Sequence, residues 1–261
     1  SNMLGFPAGF RIGHQDFSLG KGTFFRHASP GDDGIKLFFD PTKQLHGEIF
    51  LVKLIEGVTT ANDDTDFYGA SLAYKGTNFN VGGDYGYWVS ATNGVNSRGA
   101  IVTNLAAGDH GTQVNNLGLR ADTTIGKVLK VSAEVNLQSG KTDYESNPIK
   151  HKGRYYSVNA RYALTPATAF TVGYIYGSGD DNSADNENNV YLSTRSAGEG
   201  ALDATIVYGA TNNVATGIKG TSLGSNTVSG SLGVSHKLTK DVGIGATYFI
   251  LRSAELDSSA A

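Results

Sequence analysis

The side chains best suited to chemistry in this sequence are charges set among alternating apolar positions. They are Asp84, Arg120, Asp122, Lys130, Glu134 and Arg161, with Asn136 and Asn159 in the same alternating segments. If residues 118–136 fold as a hairpin turning at Gly126-Lys127, one register sets Asp122 opposite Lys130 and the next sets Arg120 opposite Glu134. Both registers place opposite charges side by side, which neighbouring strands favour. A wall of such residues beside water tunes which ions pass. The same pairs also serve as plain bracing of a wet interior, since mixed signs leave little net field. The pore-lining set expected from the sequence is therefore Asp84, Arg120, Asp122, Lys130, Glu134, Asn136, Asn159 and Arg161.

Other constellations carry less. The acidic stretches NDDTD (62–66) and DDNSADNEN (180–188) offer hard oxygen ligands for calcium. They lack the ordered spacing and distal Glu of an EF-hand, so solvated loops are expected. His14, His27, His46, His110, His151 and His236 show no i,i+4 pair of the helical zinc type. Gly220-Thr221-Ser222-Leu223-Gly224 matches G-x-S-x-G, but the hydrolase motif needs a strand before it and a helix after it. Here it lies in a Gly/Ser/Thr-rich stretch, and it reads as coincidence. With 0 Cys there is no thiol nucleophile or thiolate site. The expectation is no catalytic residue, no metal and no cofactor.

The elements that must position the charges are strands. In segments of about ten residues, the length a tilted strand needs to cross a bilayer, polarity alternates with period two. FNVGGDYGYWVS (79–90) sets Phe79, Val81, Tyr85, Tyr87 and Val89 on one face and Asn80, Asp84, Trp88 and Ser90 on the other. VLKVSAEVNLQS (128–139) divides Leu129, Val131, Ala133, Val135 and Leu137 from Lys130, Ser132, Glu134, Asn136 and Gln138. RYYSVNARYAL (154–164), TAFTVGYIYG (168–177) and the stretch from Val242 to Ile250 repeat the pattern.

Connections alternate in length. Short ones are expected near 41–45, 76–78, 126–127, 165–167 and 239–241. Long polar ones are expected near 20–31, 57–65, 91–113, 140–153, 178–189 and 210–225. Short turns at one end and long loops at the other is the outer-membrane pattern, with the short side periplasmic. Tyrosines near strand ends fit an aromatic girdle. This scheme gives about thirteen strands, including one near 190–196. Bacterial barrels have even counts, so the odd number reads as a chain lacking the first and last strands of a barrel of about 14–18. The opening Ser1-Asn2-Met3 reads as a cloning scar or an internal cut.

Composition agrees with an all-β antiparallel transmembrane barrel in one domain over 1–261. Gly 35 and Tyr 13 stand beside Pro 5, with 39% hydrophobic and 17% charged residues, too little apolar material for an ordinary core. A barrel covers its outer face with lipid and keeps its interior wet. A net charge of -3 argues against a nucleic-acid partner.

The segment FRIGHQDFSLGKGTFFRHASPGDDGIKLFFDP (10–41) carries a family resemblance. Its R-x-G-x-Q strand, Gly-rich loop and D-G-I strand resemble those of alginate-export-like outer-membrane porins, and of porin-like proteins from metal-reducing bacteria. Arg11, Gly13, Gln15, Leu19, Gly20, Asp33, Gly34 and Ile35 stand at the matching positions. The resemblance implies a channel in the cell outer membrane. Its export relatives pass a polyanion through a pore rich in Arg and Lys, whereas the wall charges here are mixed, so alginate is not the expected cargo. The function expected is passive passage of small hydrophilic solutes or ions. The alternative is a non-conducting barrel acting as a platform, for example for an electron-transfer partner. Expected partners are outer-membrane lipid and lipopolysaccharide, the solutes, and further copies of the chain in a homo-oligomer.

Overall fold

The computed structural model describes residues 7–55, 64–91, 93–95, 101–103, 111–143, 148–182, 185–195 and 226–255. Every regular element among them is a strand. The long strands are β1 (Ala8–Ser18), β2 (Phe25–Phe39), β3 (Leu45–Ile55), β4 (Thr65–Lys75), β5 (Phe79–Ser90), β8 (Thr112–Ile125), β9 (Leu129–Thr142), β11 (Arg154–Ala163), β12 (Thr168–Gly177), β15 (Thr227–Lys237) and β16 (Gly243–Ser253). Short strands lie between them: β6 (Asn93–Val95), β7 (Ile101–Thr103), β10 (Ile149–His151), β13 (Glu187–Asn188) and β14 (Thr194–Arg195).

The long strands form one antiparallel path, β1-β2-β3-β4-β5-β8-β9-β11-β12-β15-β16, within a 14-stranded sheet that also takes in β10, β13 and β14. Each long strand pairs with its neighbours in sequence among the long strands, the meander expected from the alternation. β6 and β7 form a separate two-stranded sheet. β1 and β16 end the order without pairing to each other among the described residues.

Alternation fixes which face each residue takes, because a slip of one position would turn every side chain over. Along β8, Thr112, Val114 and Asn116 are buried on the inner face while Leu117 and Leu119 are exposed on the outer. The short connections fall where expected. Short turns join β2 to β3, β4 to β5, β8 to β9, β11 to β12 and β15 to β16.

Three of these turns share one device. Thr42 Oγ1 accepts from the backbone N–H groups of Gln44 (3.2 Å) and Leu45 (3.1 Å). Thr165 does the same for Ala167 (3.2 Å) and Thr168 (2.9 Å), and Thr239 for Asp241 (3.2 Å) and Val242 (3.0 Å). A hydroxyl that satisfies two turn donors substitutes for a backbone turn bond. The β8–β9 turn works differently: Gly126 (φ 58) and Lys127 (φ 64) are both left-handed. Glycine takes that region at no steric cost.

Two expectations need correction. The strand near 190–196 does not form as a membrane-length element. Val190, Tyr191 and Leu192 are all buried in succession, so these three residues do not alternate between two faces. Only Thr194–Arg195 pairs, in parallel with Phe25–Arg26 of β2. β12 also pairs directly with β15, from Thr168↔His236 to Gly177↔Thr227. Among the described residues the path therefore holds eleven long strands, and the short β10, β13 and β14 bring the sheet to 14, beside the expected count of about thirteen.

The expected loop at 20–31 is likewise shorter. β2 begins at Phe25, and the connection folds inward onto the concave face instead of standing in solvent. An apolar cluster forms there from Phe17, Leu19, Phe24, Phe25, Phe50, Val52, Phe67, Trp88, Val114, Val190 and Leu192. Phe25 stacks on Phe67 with ring centroids 3.7 Å apart, and Phe17 meets Phe50 at 5.5 Å. These residues come from strand ends joined by long connections, so the dry cluster sits at that end of the inner face.

Candidate functional site

The inner face of β5, β8 and β9 carries most of the charges singled out from the sequence. The β8–β9 register sets Arg120 opposite Glu134, Asp122 opposite Ser132 and Thr124 opposite Lys130. Of the two registers open to the sequence, the one with Arg120 opposite Glu134 is adopted; Asp122 and Lys130 do not face each other. The side chains nevertheless choose other partners. Arg120 Nη1 pairs with Asp84 Oδ2, and its Nη2 donates to Ser71 Oγ at 3.2 Å. The carboxylate of Asp84 and the guanidinium of Arg120 are 7% and 15% exposed, so this pair is largely withdrawn from water.

Glu134 is taken by the inward-folded connection between β1 and β2. Thr23 Oγ1 donates to Glu134 Oε2 at 2.7 Å. Lys21 Nζ donates to Asp122 Oδ1 (2.9 Å) and Ser132 Oγ (2.6 Å). Gly20, at φ +59, lies against the Arg120–Asp84 pair: a Cβ there would stand 2.5 Å from Asp84 Oδ2. The left-handed backbone and the close approach both require glycine. The connection is thus latched to strands well removed from β1 and β2 in the sheet order.

The polar chain continues upward. Asn136 Nδ2 donates to Glu134 Oε1 (2.9 Å), Asn116 Nδ2 to Asn136 Oδ1 (2.9 Å) and Gln138 Nε2 to Asn116 Oδ1 (3.3 Å). Gln138 then grips the second inward segment, donating to the Leu192 carbonyl (2.7 Å) and accepting from its N–H (2.9 Å). Satisfied buried networks of this kind rigidify a wall. Asn159 and Arg161 lie apart from the chain. Together with Lys130 they line an open cavity of about 740 Å³ at the short-turn end, alongside Asp122.

Sequence reasoning placed Gln138 on the polar face but missed the partners Ser71, Lys21 and Thr23, and the latch itself. The available signal was the apolar Leu19, Phe24 and Phe25 flanking a glycine-rich stretch, which a wholly solvated loop does not need.

Outside the long strands, burial pushes the His151 imidazole down to about 4. Its Nε2 meets Thr142 Oγ1 at 2.8 Å. Burial raises the Asp180 carboxyl, while the Lys152 ammonium beside Glu187 lowers that carboxyl. Three other histidines pair with carboxylates: His14 with Asp33 (3.2 Å), His27 with Asp32 (2.6 Å) and His46 with Asp40 (2.8 Å). Among the described residues no three of His, Cys, Asp or Glu converge as metal ligands. His110, Asn62, Asp63, Ser183, Ala184 and Gly220–Gly224 lie outside the described residues.

No family model and no curated protein matches the chain. Among solved structures it is similar to the outer-membrane expressed OmpT of Vibrio cholerae, at 13% identity and a TM-score of 0.48, over 94% of this chain and 66% of that one.

Proposed function

We propose that the chain forms the wall of an outer-membrane β-barrel through which small hydrophilic solutes or ions pass. The observation that carries this reading is the outer face. Ile12 is 69% exposed, Leu119 60% and Tyr248 68%, within a row of large apolar side chains that runs from β1 to β16. Moving one such side chain from water to an apolar phase is worth about 1.5–3 kcal/mol, so a row of this extent calls for an apolar neighbour. Patches of this size mark an interaction surface. Behind them, the polar inner face supports a wet interior. Long connections lie outside and short turns in the periplasm, and the likeness of residues 10–41 to alginate-export-like porins belongs to the same proposal. The reading assigns the chain transport rather than catalysis.

The test is reconstitution of the full chain into planar bilayers. Discrete conductance steps are expected. The second reading, a non-conducting platform, is favoured by one observation: the aromatic cluster and the Val190–Leu192 segment occupy the inner face at the long-connection end. Bilayers that stay silent with inserted protein would select it.

A further inference from the structure

At its short-turn end the concave face opens into the 740 Å³ cavity already described. Its charged lining is one-sided: Lys75, Lys127, Lys130 and Arg161 stand against Asp122. That carboxylate is already held by Lys21 at 2.9 Å. The side chains of Lys75, Lys127, Lys130 and Arg161 have no hydrogen-bond or ion-pair partner among the described residues. All four are exposed into the opening. Neutral partners stand beside them, since Asn159, Ser132 and Thr171 line the same space.

Uncompensated cations on a concave wall focus a positive potential and raise the local concentration of anions. Arg161 offers a planar fork that matches a carboxylate or phosphate edge, and the lysines act as point charges around it. The volume falls within the range of small-molecule sites. At the opposite end the cations beside the connections are met by carboxylates, Lys141 by Asp143 at 2.8 Å and Lys152 by Glu187 at 2.5 Å.

We propose that this cavity is a vestibule that binds compact oxyanions, small solutes bearing carboxylate or phosphate groups, and makes the passage anion-preferring. The site deepens the transport reading, and its selectivity rests on that reading. The volume of about 740 Å³ suits a compact anion rather than a polymer.

Two measurements test it separately. In the first, disodium succinate and, in a second run, inorganic phosphate are titrated calorimetrically into the full chain in non-ionic detergent. Saturable binding is expected, at least tenfold weaker in the Lys130→Gln/Arg161→Gln variant and unchanged in Lys240→Gln, which sits on an exposed turn. The pair Lys75→Gln/Lys127→Gln is a second variant, should the first fold poorly. Absence of saturable binding to the wild type, or binding that survives both double variants, overturns the site. In the second, reversal potentials are measured across bilayers under a KCl gradient. Anion permeability above cation permeability is expected, falling in the double variants. A cation-preferring wild type overturns the selectivity. A silent bilayer removes the transport reading instead and the selectivity with it, while calorimetry still decides the binding site.

Discussion

Arg120 and Asp84 show how much a single contact on the inner face carries. Both are largely withdrawn from water, and Arg120 also donates to Ser71. Removing one partner of a buried pair leaves the other charge uncompensated, at a cost of about 3–5 kcal/mol. Arg120→Ala is therefore expected to lower stability by about 3 kcal/mol on that argument, read as the urea midpoint of refolding into lipid vesicles. Asp84→Asn/Arg120→Gln is expected to recover part of the loss, because both charges leave together. His151 gives a pH dependence. It is 1% exposed and its imidazole is pushed down from 6.5 to about 4, so the unfolded chain binds the proton more readily. Stability from this group is present above pH 6.5 and is lost as pH falls toward 4, by about 3 kcal/mol in all. Asp180, raised by burial, has the opposite slope below neutrality. The acid limb of a stability-against-pH curve should flatten in His151→Asn if His151 dominates it.

Among the elements, the inward connection between β1 and β2 is the one to perturb. Its two ties differ in strength. Thr23 and Glu134 are both buried, so losing that bond to a charged acceptor costs about 1.5–3 kcal/mol. The Lys21–Asp122 pair is 26% and 43% exposed, and a partly exposed ion pair is worth about 1 kcal/mol or less. Thr23→Val should thus loosen the connection more than Lys21→Ala does, and the larger rise in unitary conductance is expected from Thr23→Val. Equal effects, or none, would remove the connection from the conducting path.

At the same scale, the sequence made the long strands legible because period-two alternation is a local signal that the sheet simply keeps. Asp84, Arg120 and Glu134 could be assigned to one face for the same reason. Their partners could not, since Lys21 reaches Asp122 across 101 positions of sequence and Thr23 reaches Glu134 across 111. The segment at 190–196 misled because its β-branched and aromatic residues suit a strand equally well in a sheet and in a buried extended plug.

Across the whole molecule, the two faces of the sheet would meet different solvents in the proposed membrane setting. A charge at Leu119, on the outer face near the middle of β8, would enter hydrocarbon in the proposed setting. Leu119→Arg is expected to cost about 2–4 kcal/mol on refolding into vesicles, as an arginine does near the bilayer midplane. Thr171→Arg, on the inner wall of β12, should cost well under half of that. Comparable losses at both positions would contradict the assignment of faces.

The threonine-locked turns bear on how such a sheet is put together. Each closes its hairpin with bonds between residues two or three positions apart, at Thr42, Thr165 and Thr239. Contacts this local cost little loop entropy and form in microseconds, ahead of any pairing across a long connection. β2–β3, β11–β12 and β15–β16 are accordingly the natural seeds of assembly, and strand order follows from which seeds dock next. The long connections then affect the rate of joining and leave the identity of the pairs untouched, so lengthening one should slow folding without shifting the register of any hairpin.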